Sequence, residues 1–510
     1  MALSFELGFC FDYFLDYRHS YSWLRDMKLE NKNLLKDKAY VGGKWIAGKK
    51  SFDVTNPANG KTIGSVPDLG VAETKVAIEA AHKAQPDWAA KAAKERAKIL
   101  RQFSDLITAN ADDLAAIMTA EQGKPLIEAR NEILSAASFF EWYGEEAKRV
   151  YGENIPSPFP NSRVNVIKQP VGVCVSITPW NFPSSMIARK AAPALAVGCT
   201  IVCKPAGETP LSALALAVLA EEAGVPAGVF SVVTTTDSRG VGLEMCENPL
   251  VRKLSFTGST EVGRILMKQC ASTIKNVSFE LGGNAPFIVF DDADIDAAVE
   301  GAIVSKYRNA GQTCVCANRI YVQDKIYDAF AKKLTEKVKK LKVGDGAGEG
   351  VQIGPLINPD AIKKVKDHIK NATDKGAKIV TGGKVHKLGG TFFEPTVLTG
   401  MTQKMKIAKE ETFGPVAPLF KFKTETEAIE MANDTIFGLA AYFYARDVGR
   451  IARVSEALEY GMVGVNAGLI STEVAPFGGV KQSGIGREGS KYGLEEYLEI
   501  KYILTAGLQA

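Results

Sequence analysis

Val171-Gly-Val-Cys-Val-Ser-Ile177, Cys199-Thr-Ile-Val-Cys203, Val229-Phe-Ser-Val-Val233, Lys253-Leu-Ser-Phe256 and Phe287-Ile-Val-Phe290 are short β-rich runs separated by helical patterns. Strands recurring at that spacing with helices between them imply βαβ units and a parallel sheet covered by helices. The clearest helix begins at Thr209-Pro210, Thr as N-cap and Pro in the first turn, and stops at Gly224. Upstream, residues 71–150 are almost wholly helical in pattern and Ala-rich, with stops at Gly123-Lys-Pro125 and Gly152, and are expected to pack outside the sheet. Downstream a second alternation starts: helix at Ile295 to Tyr307, strand at Arg319 to Val322, helix at Tyr327 to Leu341, and a helix and strand over Asp360 to Val380. The C-terminal Tyr497 to Leu504 is a β-rich run with no evident local partner, and Pro476 to Arg487 holds too many turn residues for a regular element.

The chain has 510 residues, 46% hydrophobic and 24% charged, with 47 Gly and 22 Pro, which is ordinary globular composition and excludes collagen-like and disordered classes. At about 150 residues per domain it holds about three structural units. A net charge of +4 over this length is too dilute for a nucleic-acid footprint. No apolar run reaches the ~18 residues a membrane span needs. Eight Cys are too few for a disulfide framework, so a reducing, cytoplasmic compartment is expected. Residues 1–26 are aromatic-rich with no basic n-region, a poor signal peptide, and Met27 is an alternative start.

Only four His exist, each in a bland context, so a histidine base is not expected. Cys314 lies in Asn309-Ala-Gly-Gln-Thr-Cys-Val-Cys-Ala-Asn318 just after a helical pattern, where a thiol is either an activated nucleophile or a packed structural Cys, with Cys316 the competing thiol. Glu280, in Ser278-Phe-Glu-Leu-Gly-Gly-Asn284, faces either solvent or a cleft; in a cleft, desolvation would raise its pKa toward that of a useful base. Asn181 in Pro179-Trp-Asn-Phe-Pro183 sits between two prolines that fix the backbone, which suits a preset amide donor to an oxyanion as well as a plain turn. Phe256-Thr-Gly-Ser-Thr-Glu-Val-Gly263 passes from strand to helix, where backbone amides can meet a phosphate.

Taken together, and with Lys204-Pro-Ala206 and Glu411-Thr-Phe-Gly-Pro415, these motifs resemble the aldehyde dehydrogenase superfamily in the family's own order, from about residue 30 to the C-terminus. Gly311 to Arg319 and Ala475 to Gly484 are most similar to its bacterial succinate-semialdehyde dehydrogenases of 4-aminobutyrate breakdown. The resemblance implies an α/β fold with a Rossmann-type dinucleotide-binding domain (27–148 and 167–283), a catalytic domain (284–493) and a small β oligomerisation extension (149–166 and 494–510), residues 1–26 lying outside the match. It implies that Cys314 attacks the aldehyde, that Asn181 and the Cys314 N–H hold the oxyanion, and that Glu280 activates the water that hydrolyses a thioester, with no metal. A non-redox thiol hydrolase would leave Lys204, Ser259 and Glu411 without a task.

By the same resemblance Glu411 holds the nicotinamide ribose, Phe413 flanks the nicotinamide, Ser259 reaches the pyrophosphate and Lys204 lies by the adenosine ribose. Ile177, Thr178, Pro179, Trp180, Gly258, Gly263 and Leu281 complete the dinucleotide site. NAD-preferring relatives commonly carry Glu three residues after this Lys; Gly207 stands there, leaving room for a 2′-phosphate, so NADP is expected to be preferred with NAD still used. Arg189 and Arg308, with Ser471, are expected to hold a distal carboxylate, giving succinate semialdehyde as substrate and glutarate semialdehyde as the alternative. Cys314 and Cys316, two apart on a bent loop, form a candidate redox switch. A homodimer or homotetramer is expected, because the two β-rich runs of the extension lack partners in their own domain and would add strands to a neighbouring subunit.

Overall fold

The computed structural model describes residues 29–508; the leader, residues 1–26 with Met27, lies outside them. In chain order, β1 (Ala39–Val41) and β2 (Lys44–Ile46) make one hairpin, β3 (Ser51–Thr55) and β4 (Thr62–Pro67) another. A helical layer follows: α1 (Val71–Ala90), α2 (Ala93–Ala109), α3 (Ala111–Gln122) and α4 (Leu126–Glu146). Helix α3 ends where Gly123 takes φ 92°, and Pro125 starts α4, so the expected stop is real and separates the two by a short polar corner. Strands β5 (Glu153–Ile155) and β6 (Arg163–Pro170) come next.

The deciding alternation then runs β7 (Val173–Ile177), α5 (Pro183–Val197), β8 (Thr200–Lys204), α6 (Pro210–Glu222), β9 (Phe230–Val232), α7 (Ser238–Glu247), β10 (Val251–Thr257), α8 (Thr260–Cys270) and β11 (Asn276–Glu280). Its five strands are parallel, in the order β11-β10-β7-β8-β9, and β1-β2 extend the far edge antiparallel. Because helices cover both faces, β8 is buried at every position, and α6, made almost entirely of Ala and Leu, is buried from Pro210 through Ala220. Each such Leu or Val contributes on the order of 1.5–3 kcal/mol by burial. Within the outer layer α2 packs on α4, where the Phe103 and Phe140 rings lie 4.2 Å apart.

The second unit runs β12 (Ala285–Val289), α9 (Ile295–Tyr307), β13 (Ala317–Gln323), α10 (Tyr327–Val338), α11 (Pro359–Asp374), β14 (Lys378–Thr381), β15 (Thr396–Met401), β16 (Val416–Phe422), α12 (Glu425–Asn433), β17 (Ala440–Tyr444), α13 (Val448–Ala457) and β18 (Met462–Val465). Its sheet order is β14-β15-β16-β13-β12-β17-β18, parallel except for β14. Phe287 to Phe290, whose pattern continues the first rhythm, therefore lies in the second sheet; β11 is the last parallel strand of the first. Beyond it, β19 (Gly484–Ile485) returns from the second unit and pairs antiparallel with β11, Gly484 opposite Glu280.

β20 (Leu498–Thr505) is not partnerless: it pairs with β6 along eight residues, Leu498 opposite Pro170 to Thr505 opposite Arg163, and β5 closes a three-stranded sheet. The two runs expected to lack partners in their own domain pair with each other. β5 and β20 remain as edges, with Ile155, Ile500, Tyr502 and Leu504 exposed. Among the described residues no helix is long and apolar enough to cross a membrane.

Candidate active site

The C-terminal ends of parallel strands gather loop residues at one edge of a sheet. Here β7 leads into Thr178 to Phe182, β8 ends at Lys204, β10 runs into Gly258 and Ser259, and β11 ends at Glu280. The cysteine segment reaches this edge from the second unit. Gly283 makes the approach possible, because a Cβ there would stand 2.4 Å from the carbonyl oxygen of Cys314.

Cys314 is half-buried with a free thiol, whereas Cys316 is buried, its Sγ 3.2 Å from Lys306 Nζ. Burial, then the charge of Glu411, pushes the Cys314 thiol up to about 12, while Arg189 and Arg308 act in the opposite sense. Glu280 is 4% exposed, which decides for the cleft over solvent, and its Oε2 has no hydrogen-bond partner among the described residues. Burial, then the charge of Glu488, holds its carboxyl well above the ordinary range, opposed by Lys190, Arg189 and Arg487. Glu488 is itself paired with Lys190, whose Nζ also donates to Thr257 Oγ1 at 2.6 Å.

Asn181 is also buried, and its Nδ2 donates to the carbonyl oxygen of Gln312 at 3.0 Å, two residues before Cys314. One amide hydrogen is used there and the second remains available beside the thiol segment. Lys124 Nζ holds the Asn181 carbonyl at 2.7 Å and pairs with Glu132, both charges being buried. Glu132 in turn accepts the N–H groups of Ser184 and Ser185 at 3.0 and 3.2 Å, the start of α5.

Glu121 repeats this on the next helix, accepting from Leu211 and Ser212 at 2.8 Å each, so the start of α6 is capped by a carboxylate from α3. Thr209, expected to cap α6, makes no side-chain capping bond. The start of α7 is capped by Asp237 and that of α8 by the neutral hydroxyl of Ser259. Of the four helices that follow strands of the first sheet, only α8 lacks a carboxylate cap, and it is the one whose open N-terminus suits a pyrophosphate. Gly263 lies one turn in, where a Cβ would stand 2.6 Å from Leu281 Cδ2, and that close packing fixes α8 against the end of β11.

Around Gly207 there is a cavity of about 330 Å³, also lined by Asp53, Glu121, Glu208 and Thr235. A Cβ on Gly207 would meet only the Thr235 carbonyl oxygen, at 3.9 Å, so the position is open. Lys204 is buried, its Nζ making one long bond of 3.4 Å to the Pro205 carbonyl. Ile177 pairs with Lys204 across β7 and β8, and the Thr178 N–H donates to the Lys204 carbonyl at 3.1 Å. Pro179 and Trp180 continue that turn, and Trp180 meets Phe413 edge-on at 5.6 Å. Glu411 accepts from the Gly283 N–H at 3.1 Å, leaving its second oxygen, and burial raises its pKa to about 7.

Arg189 on α5 is 5% exposed, stacked on Phe139 and Phe477, and its Nε and Nη1 have no hydrogen-bond partner among the described residues. Arg308 caps α9 and lies over the Phe182 ring at 5.3 Å. Ser471 is exposed and makes no hydrogen bond to the described residues, so it does not join the two arginines here. Among the described residues no group of three or more His, Cys, Asp or Glu is placed to hold a metal. Sequence reasoning missed Glu121, Gln122, Lys124, Glu132 and Lys306; the only available signal was a cluster of polar residues at a helix stop inside an Ala-rich layer.

A family model described as Aldehyde dehydrogenase family matches residues 45–503. The chain is 63% identical over 484 residues to the glutarate-semialdehyde dehydrogenase of Pseudomonas aeruginosa, covering 94% of this chain and 100% of that one. It is also 63% identical over 479 residues to a protein of Escherichia coli named succinate-semialdehyde dehydrogenase, NADP(+), covering 94% and 99%. The crystal structure of succinate-semialdehyde dehydrogenase from Burkholderia pseudomallei superposes with a TM-score of 0.93 at 62% identity, covering 94% of this chain and 100% of that chain.

Proposed function

Because the chain belongs to the aldehyde dehydrogenase family, we propose that it oxidises succinate semialdehyde to succinate with NADP, using Cys314, Asn181 and Glu280. The observation that carries the substrate class is Arg189, a buried guanidinium whose Nε and Nη1 make no hydrogen bond and whose one ion-pair partner, Glu488, stands 4.0 Å from Nη1, so that a carboxylate at the far end of a short aldehyde would find donors to accept from. Arg308, over the Phe182 ring, supplies the second positive charge, with Ser471 as the further polar group of the clamp. Glutarate semialdehyde is the second reading, favoured by the equally similar Pseudomonas aeruginosa relative; one methylene discriminates by only about 1–3 kcal/mol.

In the proposed mechanism the Cys314 thiol releases its proton to water as its sulfur adds to the aldehyde carbon, and the developing oxyanion accepts the second Asn181 Nδ2 hydrogen and the Cys314 N–H. NADP, when bound, supplies the hydride acceptor that makes this an oxidation. Ser259 at the open end of α8, Lys204, the space at Gly207 and the free oxygen of Glu411 fit that group, with NAD accommodated at the shared positions. Gly258, Leu281, Phe413 and the 177–180 turn would form its walls. Glu280, unpaired and in low dielectric, takes a proton from the water that hydrolyses the Cys314 thioester.

Residues 27–148 and 167–283 are the proposed dinucleotide-binding domain, 284–493 the catalytic domain, and 149–166 with 494–510 the extension, whose strand β6 runs on to Pro170. The exposed apolar edges of that three-stranded sheet support a homodimer or homotetramer. The test is pre-steady-state absorbance of reduced nicotinamide with succinate semialdehyde. Cys314→Ala should give neither burst nor turnover, and Glu280→Gln should keep the burst and lose steady-state turnover. Steady-state turnover near that of the unmodified enzyme in either variant would overturn the assignment.

A further inference from the structure

We infer that Gln122 and Asn309 are positioning residues that orient the oxyanion-binding amide of Asn181 through a directed chain of carboxamides. The inference rests on the roles of Cys314 and Asn181 proposed above and adds the groups that set their geometry.

The chain has one sense throughout. The Lys124 N–H donates to Gln122 Oε1 at 2.9 Å, which fixes which end of the Gln122 amide is oxygen. Gln122 Nε2 then donates to Asn309 Oδ1 at 3.0 Å, which fixes the Asn309 amide in the same way. Asn309 Nδ2 bridges the carbonyl oxygens of Asn181 and Gln312, at 3.0 and 3.3 Å. The Gln312 oxygen is the acceptor that selects the orientation of the Asn181 side chain, taking its Nδ2 hydrogen at 3.0 Å. Reversing any amide in the series would set two oxygens or two N–H groups against each other, and among buried side chains such a mismatch is costly. Gln122, Asn309 and Gln312 are all 1% exposed or less.

Asn309 also carries the backbone that makes this contact possible. It and Ala310 have φ of 51° and 55°, left-handed values that Asn adopts more readily than most residues and that Ala does not favour. The turn is held from outside by the Glu128 carboxylate, which accepts the Asn309 N–H at 2.8 Å, and from inside by the Gln312 side chain, whose Nε2 donates to the Asn309 carbonyl at 3.1 Å. A strained turn of this kind persists only where its surroundings over-determine it. Its effect is that the Asn309 amide ties the segment bearing the thiol to the segment bearing the oxyanion donor, beside the direct bond from Asn181 Nδ2 to the Gln312 carbonyl. Without the Asn309 amide the Gln312 carbonyl is free to tilt, and the Asn181 amide loses the partner that aims it.

Two variants separate this role from general support of the loop. Asn309→Gly keeps the left-handed backbone accessible and removes the amide; Gln122→Met keeps the volume and removes the donor to Asn309. Each is compared in the full chain with Asn181→Ala. Alkylation of Cys314 by iodoacetamide forms a C–S bond by displacing iodide and passes through no oxyanion, whereas the burst of reduced nicotinamide requires one. Asn181→Ala should slow the burst by about 10²–10³-fold, the usual effect of losing one oxyanion donor, Asn309→Gly by at least about 30-fold and Gln122→Met by about 3–10-fold. Alkylation rates and the KM for succinate semialdehyde should stay within about twofold of the unmodified enzyme. Bursts within about twofold in both positioning variants, or alkylation falling in step with the burst, would overturn the inference. A normal burst in Asn181→Ala would instead remove the reading on which it rests. Should Asn309→Gly fail to fold, Gln122→Met decides.

Discussion

The Nζ of Lys306 stands 3.2 Å from the Sγ of Cys316 and 3.1 Å from Asn318 Oδ1, so the second thiol of the nucleophile segment faces a buried ammonium. Burial raises the pKa of Cys316, and Lys306 only partly offsets that rise, so Lys306 makes the thiolate that would attack an oxidised neighbour less costly than burial alone would. Cys314 and Cys316 are both free thiols here, and pairing them requires the Cys316 sulfur to leave Lys306. Hydrogen peroxide is expected to inactivate the enzyme in a way that dithiothreitol reverses, Cys316→Ala to be inactivated irreversibly by the same dose, and Lys306→Met to form the disulfide more slowly. Activity recovery and thiol counting after each treatment check this; equal recovery in Cys316→Ala rules the pair out.

The pKa of about 12 for Cys314 makes a prediction about pH. Below that value the thiol is protonated, so alkylation of the free enzyme should rise about tenfold per pH unit and show no plateau below pH 10. Glu411 is the charge that contributes most to the rise, after burial itself. Glu411→Gln should therefore speed alkylation several-fold at fixed pH. A plateau near pH 8 in the unmodified enzyme would contradict the electrostatic account.

Arg308→Ala should raise the KM for succinate semialdehyde by about 10–100-fold, the value of one charge-assisted bond of about 1.5–3 kcal/mol, and leave butanal oxidation little changed. A steady-state comparison of the two aldehydes is sufficient. An equal effect on both would mean that Arg308 supports the fold and not the carboxylate.

Gly207→Glu should move the ratio of kcat/KM for NADP over NAD toward NAD by about 10-fold or more, since a carboxylate in this open position repels a 2′-phosphate and accepts from ribose hydroxyls. The pocket already carries Asp53 and Glu208, so the unmodified ratio is informative by itself. A ratio favouring NAD before any substitution would overturn the cofactor preference.

The strands of the first sheet were legible because alternation and flanking turns are local: Val173–Ile177 and Val251–Thr257 lie within two or three residues of the runs that announced them. Which sheet a strand joins is not local, and Phe287 carries the same β pattern as Phe256 although the two strands lie in different sheets. For the same reason Leu498 to Thr505 gave no sign of β6, more than 300 residues earlier. At the site, Cys314, Glu280 and Asn181 were visible as motifs. Glu121 and Glu132 were not, because a carboxylate that caps another helix looks in sequence like any charged residue on a helix face. Lys124 stood only as part of the helix stop Gly123-Lys-Pro125, and Gln122 carried no reading at all.

β19 has a mechanical consequence. By crossing from the second unit to hydrogen-bond with β11 beside Glu280, it makes the rim of the cleft a continuous ladder, not a pair of lips. A hinge between the two units would have to break those bonds, so the gap across which Glu280 and Cys314 face each other is fixed when the chain folds. Admission of aldehyde and water then falls to side chains and short loops, and denaturant should melt both units in one cooperative transition.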